Sequence, residues 1–345
     1  MTIYDIAQKA GVSIATVSRV LNGSPNIRKD TKAKVQKIID ETGYNPNAQA
    51  RRLSTQNSGM IGVMIPDMEN PFFQKILTGI TELAYKLKFN VVLYNTGENI
   101  NTQYELLKMV AQERLSGLVM IPILEQDNES VSLLKWIQNN GVAVVLIDRD
   151  IQGVKFDRVF SNDFKGSYDC VSLLIENGHK KIATITGPLS SKPGKDRYEG
   201  YIKALQDNEL PIEKKYIESG NFFKEKSYEL AKKLMEQEEP PTAIFCANNL
   251  TTLGTMKCIS EKKLHVGKDI SVVSFDDIEE FKYVGINITS VNRPVKYMGM
   301  EAMNMLIYKI KNKENSRRTD DITKKVVVDT ELIIRGSEKI SKDKL

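Results

Sequence analysis

Five short polar clusters, each directly after an apolar run, are where this sequence could do chemistry. Asp67-Met68-Glu69-Asn70-Pro71-Phe72-Phe73 follows the run 61–65, and Asp148-Arg149 follows 142–147. Gly187-Pro188, leading on to Arg197, follows 182–186; Asn248-Asn249 follows 244–246, and Asp276-Asp277 follows 272–275. Asn, Asp and Arg grip hydroxyls through paired donors and acceptors, and a phenyl ring packs the apolar face of a sugar. The set therefore predicts a site for a neutral polyol built from Asn70, Phe72, Phe73, Asp148, Arg149, Arg197, Asn248 and Asp276. Any one of these residues alone could be no more than a helix cap; their recurrence at five run ends carries the reading.

Other chemistries find little support. The three cysteines (Cys170, Cys246, Cys258) and two histidines (His179, His265) are scattered without zinc or redox spacing, which predicts core thiols in a reducing compartment and no metal. A Gly-rich phosphate loop, a Ser/His/Asp set and a metal cluster are all lacking, so neither an enzyme nor a cofactor is expected. The opening Met1-Thr2-Ile3-Tyr4-Asp5 has neither the basic nor the apolar region of a signal peptide, and runs such as 118–124 are too short to span a bilayer. A cytoplasmic protein with no membrane partner is the expectation, which argues against an exported solute-binding protein.

The elements that must position the clusters follow from periodicity. At 345 residues the chain exceeds one ordinary domain, and 41% apolar with 27% charged residues is a globular balance. From residue 60 onward, apolar runs at 61–65, 91–94, 117–121, 142–147, 182–186 and 272–275 alternate with helical periods at 72–87, 102–113, 166–177 and 197–207. Repeated βα units predict parallel, doubly wound sheets, and about 280 residues of this rhythm is more than one sheet needs, so two similar subdomains are expected. Ligands of such sheets sit beyond the carboxyl ends of the strands, where the clusters lie.

The charge is uneven. Residues 1–58 carry nine basic and four acidic side chains, a surplus equal to the net +5 of the whole chain. A short basic segment on a neutral body is the footprint of a polyanion-binding module. Thr2 with Asp5 reads as a capping box opening a helix over Ile3–Ala10, Gly11 breaks it, and Ser13 caps a second helix over Ile14–Leu21. Ile6, Ala7, Val12, Val17 and Val20 then face inward, and a third helix runs over 30–42 to a stop at Gly43. This is helix-turn-helix geometry, with the second helix entering the major groove. Its outer face presents Ile14, Ala15, Thr16, Ser18, Arg19 and Asn22. Arg19 suits a bidentate contact to guanine, the short polar groups suit phosphates, and Ile14 and Ala15 suit thymine methyls.

Thr2 to Asn22, then Gly43-Tyr44-Asn45-Pro46-Asn47-Ala48 and Ala50-Arg51-x-Leu53, resemble the opening of a lac repressor family regulator almost residue for residue. Asn70-Pro71-Phe72-Phe73, Ile147-Asp148-Arg149, Arg197-x-x-Gly200-Tyr201, Ala247-Asn248 and Phe275-Asp276-Asp277 resemble landmarks in the body of that family. The resemblance implies a helix-turn-helix head on a body like a type I periplasmic binding protein, dimeric on a pseudo-palindromic operator and controlled by a small effector, a sugar by preference. It extends the DNA-contacting set to Thr2, Tyr4, Ser13, Asn26, Tyr44, Asn47, Ala50 and Leu53, the last a minor-groove wedge on a hinge helix. The implied organisation is a head at 1–46, a hinge and linker at 47–58, and a body at 59–338 ahead of a flexible tail at 339–345. Within the body, subdomain one takes 59–160 with 291–322, and subdomain two takes 161–290 with 323–338. The chain departs from the family pattern at Ser161-Asn162-Asp163, at Asn248-Asn249, and at Val291-Asn292-Arg293-Pro294, where Gln-Pro is usual. The first two fall at or near the cleft, so an effector does not transfer from relatives. Release or tightening of DNA by ligand is left open, and the alternative reading is a sugar- or purine-sensing regulator in which the ligand acts as corepressor.

Overall fold

A computed structural model describes residues 1–21, 24, 27–44, 59–312 and 323–339. The chain divides into two compact units, Met1–Gly59 and Met60–Leu345.

In the first unit, helices α1 (Ile3–Ala10), α2 (Ile14–Leu21) and α3 (Lys29–Thr42) enclose Ile6, Ala7, Ala10, Val17, Val20, Val35 and Ile39. The Thr2–Asp5 capping box forms, and Gly11 and Gly43 take the left-handed conformation that ends α1 and α3. Ser13 Oγ accepts from the Thr16 amide at 3.2 Å, capping α2.

The second unit holds two six-stranded sheets. The first contains β1 (Met60–Ile65), β2 (Asn90–Asn95), β3 (Gly117–Met120), β4 (Ala143–Ile147), β5 (Asp157–Ser161) and β11 (Lys325–Val328), in the order β11-β5-β4-β3-β1-β2. The second contains β6 (Ile182–Thr186), β7 (Ile217–Ser219), β8 (Ala243–Cys246), β9 (Ser271–Phe275), β10 (Thr289–Asn292) and β12 (Glu331–Ile333), in the order β12-β10-β9-β8-β6-β7. Every pairing is parallel except β10 with β12, so the second sheet departs from the all-parallel expectation at one edge. Strands covered on both faces read as unbroken apolar runs, which is why periodicity located them.

Helices α4 (Pro71–Lys86) and α12 (Val295–Lys311) cover one face of the first sheet, meeting Ile61, Val63 and Ile65. Helices α5 (Ile100–Gln112) and α6 (Asn128–Asn139) cover the other, meeting Met64, Leu118 and Met120. On the second sheet α7 (Asp163–Glu176) and α8 (Lys192–Asp207) pack on one face, and α9 (Lys224–Met235) and α10 (Asn249–Glu261) on the other. A single turn, α11 (Glu280–Tyr283), follows β9. Helices α4 and α12 touch backbone to backbone: a Cβ at Gly79 would lie 2.1 Å from the Lys296 carbonyl oxygen, and one at Gly299 2.2 Å from that of Ile76.

The chain crosses between the subdomains three times, at 161–163, 292–295 and 328–331. This corrects the expected partition. Thr289–Asn292 is wholly a strand of the second sheet, and Lys325–Val328 belongs to the first, because it extends the parallel ladder on β5. Helices α5, α7 and α8 begin earlier than their apolar periods, since Asn99, Asn162 and Ser191 cap them upstream. The expected tail also starts too early: the Lys339 carbonyl accepts from Ser271 Oγ at 2.7 Å, and Glu338 is buried. Residues 340–345 lie outside the described residues.

Candidate functional site

Two surfaces carry the residues singled out from sequence. On the head, Ile14, Ala15 and Arg19 are exposed on α2, with Tyr4 exposed on α1, while Thr16 and Ser18 are half-buried. Thr16 shares a hydrogen bond with Ser13 at 2.9 Å, so both hydroxyls also serve the cap of the helix. Thr2 is tied to Asp5, and Tyr44 packs against the small core. Asn22, Asn26, Asn47, Ala50 and Leu53 lie outside the described residues.

In the body, the loops after the strands converge on a cleft between the subdomains, open to solvent. Its walls include Asn70, Phe72, Phe73, Asp148, Arg149, Arg197, Asn248 and Asp276. Two of these are helix caps as well as wall: Asn70 Oδ1 accepts from the Phe72 amide at 3.0 Å, and Asn248 Oδ1 from the Thr251 amide at 2.8 Å. Asp277, beside Asp276, turns elsewhere and pairs with Arg335 at 2.7 Å.

The cleft is an ion-pair lattice on phenylalanine faces. Arg149 donates two bonds to Glu98, at 2.8 and 2.6 Å, and its guanidinium carbon stands 5.9 Å from the Phe73 ring centre. Arg197 pairs with Asp163 at 2.7 Å, donates to the Ala247 carbonyl at 2.6 Å, and lies 3.8 Å over Phe275. Arg293 donates to Asp276 at 2.9 and 2.6 Å, to Asp148 at 2.9 Å and to Ser161 at 3.2 Å, over Phe72 at 4.1 Å. Burial pushes the Asp148 carboxyl above its usual range, against the pull of Arg293. Burial works the same way on Asp163, but Arg197 and Arg293 together outweigh it and hold its carboxyl low.

Asp148 and Asp276 occupy equivalent places in the two subdomains. Each follows a strand with a positive φ, 64° and 73°, and each amide donates at 2.9 Å to the neighbouring strand, at Val159 and Val291. Non-glycine residues held in that conformation mark positions that the surroundings over-determine. Two buried polar atoms in the cleft wall find no partner in the protein: a donor, Arg149 Nε, and an acceptor, Asn249 Oδ1. An entering polar ligand could satisfy both.

Sequence reasoning missed Glu98, Phe222 and Arg293, and treated Asp163 and Asn249 only as neighbours of the site. The signal was available. Glu98, Phe222 and Arg293 follow β2, β7 and β10 as the five clusters follow their strands. Arg293 stands out from sequence only as a departure from the family pattern, and it lies inside the cleft.

A helix-turn-helix head joined to a hinged, two-subdomain body with a polar cleft defines a ligand-responsive DNA-binding regulator. Comparisons with known proteins agree. Residues 2–47 match the model of bacterial regulatory proteins of the lacI family, and residues 58–330 match that of periplasmic binding proteins and the sugar binding domain of the LacI family. The HTH-type transcriptional repressor PurR of Histophilus somni (strain 2336) is 33% identical, over 98% of this chain and 99% of its own. The PurR repressor of Photorhabdus laumondii is 32% identical over 94% and 95%. Among solved structures, the lac repressor dimer bound to operator and the anti-inducer ONPF matches with a TM-score of 0.83 at 25% identity, covering 98% of this chain and 99% of that one. The transcriptional regulator CelR–cellobiose complex matches with a TM-score of 0.71 at 26% identity and the same coverage. The chain belongs to the lac repressor family of bacterial transcriptional regulators. It is a DNA-binding transcriptional repressor with a ligand-binding effector domain, not an enzyme.

Proposed function

We propose that this repressor works in the cytoplasm on carbohydrate-utilisation genes, with a sugar as its effector in the cleft between the subdomains. The observation that carries the reading is the convergence of Asn70, Asp148, Arg149, Arg197, Asn248 and Asp276 beside Phe72 and Phe73, with one donor and one acceptor left unpartnered. Hydroxyls match such alternating donors and acceptors, and the rings suit the apolar face of a pyranose. A relative solved in complex with cellobiose, matched at 26% identity, supports the same ligand class. The head reads each half-site through Arg19, with Ile14, Ala15, Thr16 and Ser18 beside it, and Thr2, Tyr4, Ser13 and Tyr44 contact the backbone. Ligand in the cleft changes the angle between the subdomains about the three crossings and so shifts operator affinity.

A thermal-shift panel of sugars on the purified chain tests this. A sugar at a hundred times its Kd adds about 2.7 kcal/mol of stability. The expected result is a shift from at least one neutral sugar, lost in Arg197→Ala and weakened in the milder Asn249→Ala. A panel without any response, or a response unchanged in both variants, contradicts the assignment.

A further inference from the structure

Arg293 joins the two subdomains through both its backbone and its side chain. It lies on the second of the three crossings, between β10 and α12, and its side chain is 1% exposed. One fork reaches Asp276 of the second subdomain, and the other reaches Asp148 and Ser161 of the first. Two equivalent aspartates, one from each subdomain, therefore share a single cation. Asp163, on the first crossing, lies 3.8 Å from the same guanidinium. Without that cation, closure would bring three carboxylates together in a low-dielectric site, which like charges oppose.

Arg293 is also a partition. Together with Phe72, Asn249 and Asp276 it lines both the cleft and a second hollow, which continues past Pro71, Leu253, Ile278 and Phe281. The guanidinium lies over Phe72, the face a sugar would use.

We propose that Arg293 is a tethered occupant of the effector cleft: it latches the two subdomains closed, and the effector acts by displacing it from Asp148 and Asp276. This rests on the reading of the cleft as the effector site. It also narrows the ligand. Each of the three arginines of the cleft is already ion-paired, and the carboxylates of Asp67, Glu98, Asp148 and Asp276 on its walls, with Asp163 behind them, outnumber them. Until Arg293 is displaced, an anionic ligand meets a surplus of negative charge and no unpaired cation. A neutral, hydroxyl-rich ligand offers donors to the carboxylates that Arg293 releases.

The latch is tested without any effector. Spin labels are placed on the full chain at Glu129→Cys in the first subdomain and Lys195→Cys in the second, both exposed positions, and their separation is read by pulsed dipolar spectroscopy. The expected result is one dominant distance in the parent chain and a longer, broader distribution in Arg293→Ala, with return to the parent distance on saturable addition of methylguanidinium. Asp148→Asn, which keeps the Arg293–Asp276 pair and weakens only the link across the cleft, is expected to open the body in part if Arg293→Ala fails to fold. Parent-like distances in both variants, or no response to methylguanidinium, would overturn the latch. In a second arm, each sugar is compared with its phosphate. Neutral sugars are expected to bind Arg293→Gln about tenfold more tightly than the parent, because the competing occupant is gone. A sugar phosphate that binds the parent chain better than its sugar would overturn the displacement scheme. If no sugar binds either protein, the effector assignment fails, while the label distances still decide the latch.

Discussion

Arg19 stands on an exposed helix face of the head, whereas Arg149, Arg197 and Arg293 lie in the cleft with no more than 4% of each residue exposed. The same side-chain chemistry thus serves two designs. On the head, the recognition face contributes little to the fold, whose small core is Ile6, Val17, Val20, Val35 and their neighbours on the opposite side. In the cleft, polar groups that line its walls are also the groups that hold the subdomains together, through Arg293 with Asp148 and Asn249 with Asn70 at 2.9 Å. The exposed face of α2 stays solvated, whereas the cleft binds its own walls to each other.

Substitutions should separate the two designs, the largest effects falling in the body. Asp163→Ala strips a buried partner from Arg197 and Arg293 together and is expected to cost about 3–5 kcal/mol in denaturant unfolding. Gly79→Val forces a side chain onto the Lys296 carbonyl and is expected to cost about 1–3 kcal/mol by prying α4 from α12. Thr2→Ala removes half of the capping box on α1 and is expected to cost the head about 1 kcal/mol, visible as early loss of helical circular dichroism. Arg19→Ala, smallest of all, should leave stability within about 0.5 kcal/mol of the parent. If Arg19→Ala destabilised the protein as much as Asp163→Ala does, the contrast between the two regions would collapse.

The same contrast explains what could be read from sequence. The head is local: the Thr2–Asp5 box, Gly11, Ser13 and the buried Val17 and Val20 all act within a few residues, so α1 and α2 match their expected bounds. Strands β1, β3, β4, β6, β8 and β9 were legible because burial on both faces makes apolar runs, whereas β5, β7, β10, β11 and β12 went unread. The cleft was legible as a set of strand ends and not as a set of pairs. Nothing near residue 293 announces that its partners are Asp148 and Asp276: the first, 145 residues away, is brought in only by the crossing between the sheets, and the second, 17 residues away, by the pairing of β9 with β10. The placement of Lys325–Val328 in the first sheet was hidden for the same reason: a four-residue strand carries no mark of which ladder it joins.

The central claim is that Arg19, on the exposed face of α2, reads operator sequence while adding little to the fold. Duplexes selected from a random pool by the parent protein provide the probe, with binding compared against random DNA at one fixed salt concentration. For Arg19→Ala the account predicts a loss of discrimination of about 1–3 kcal/mol, roughly ten- to hundredfold, with binding to random DNA little changed and the same melting temperature. An Arg19→Ala protein that still separated selected from random DNA as the parent does would contradict it.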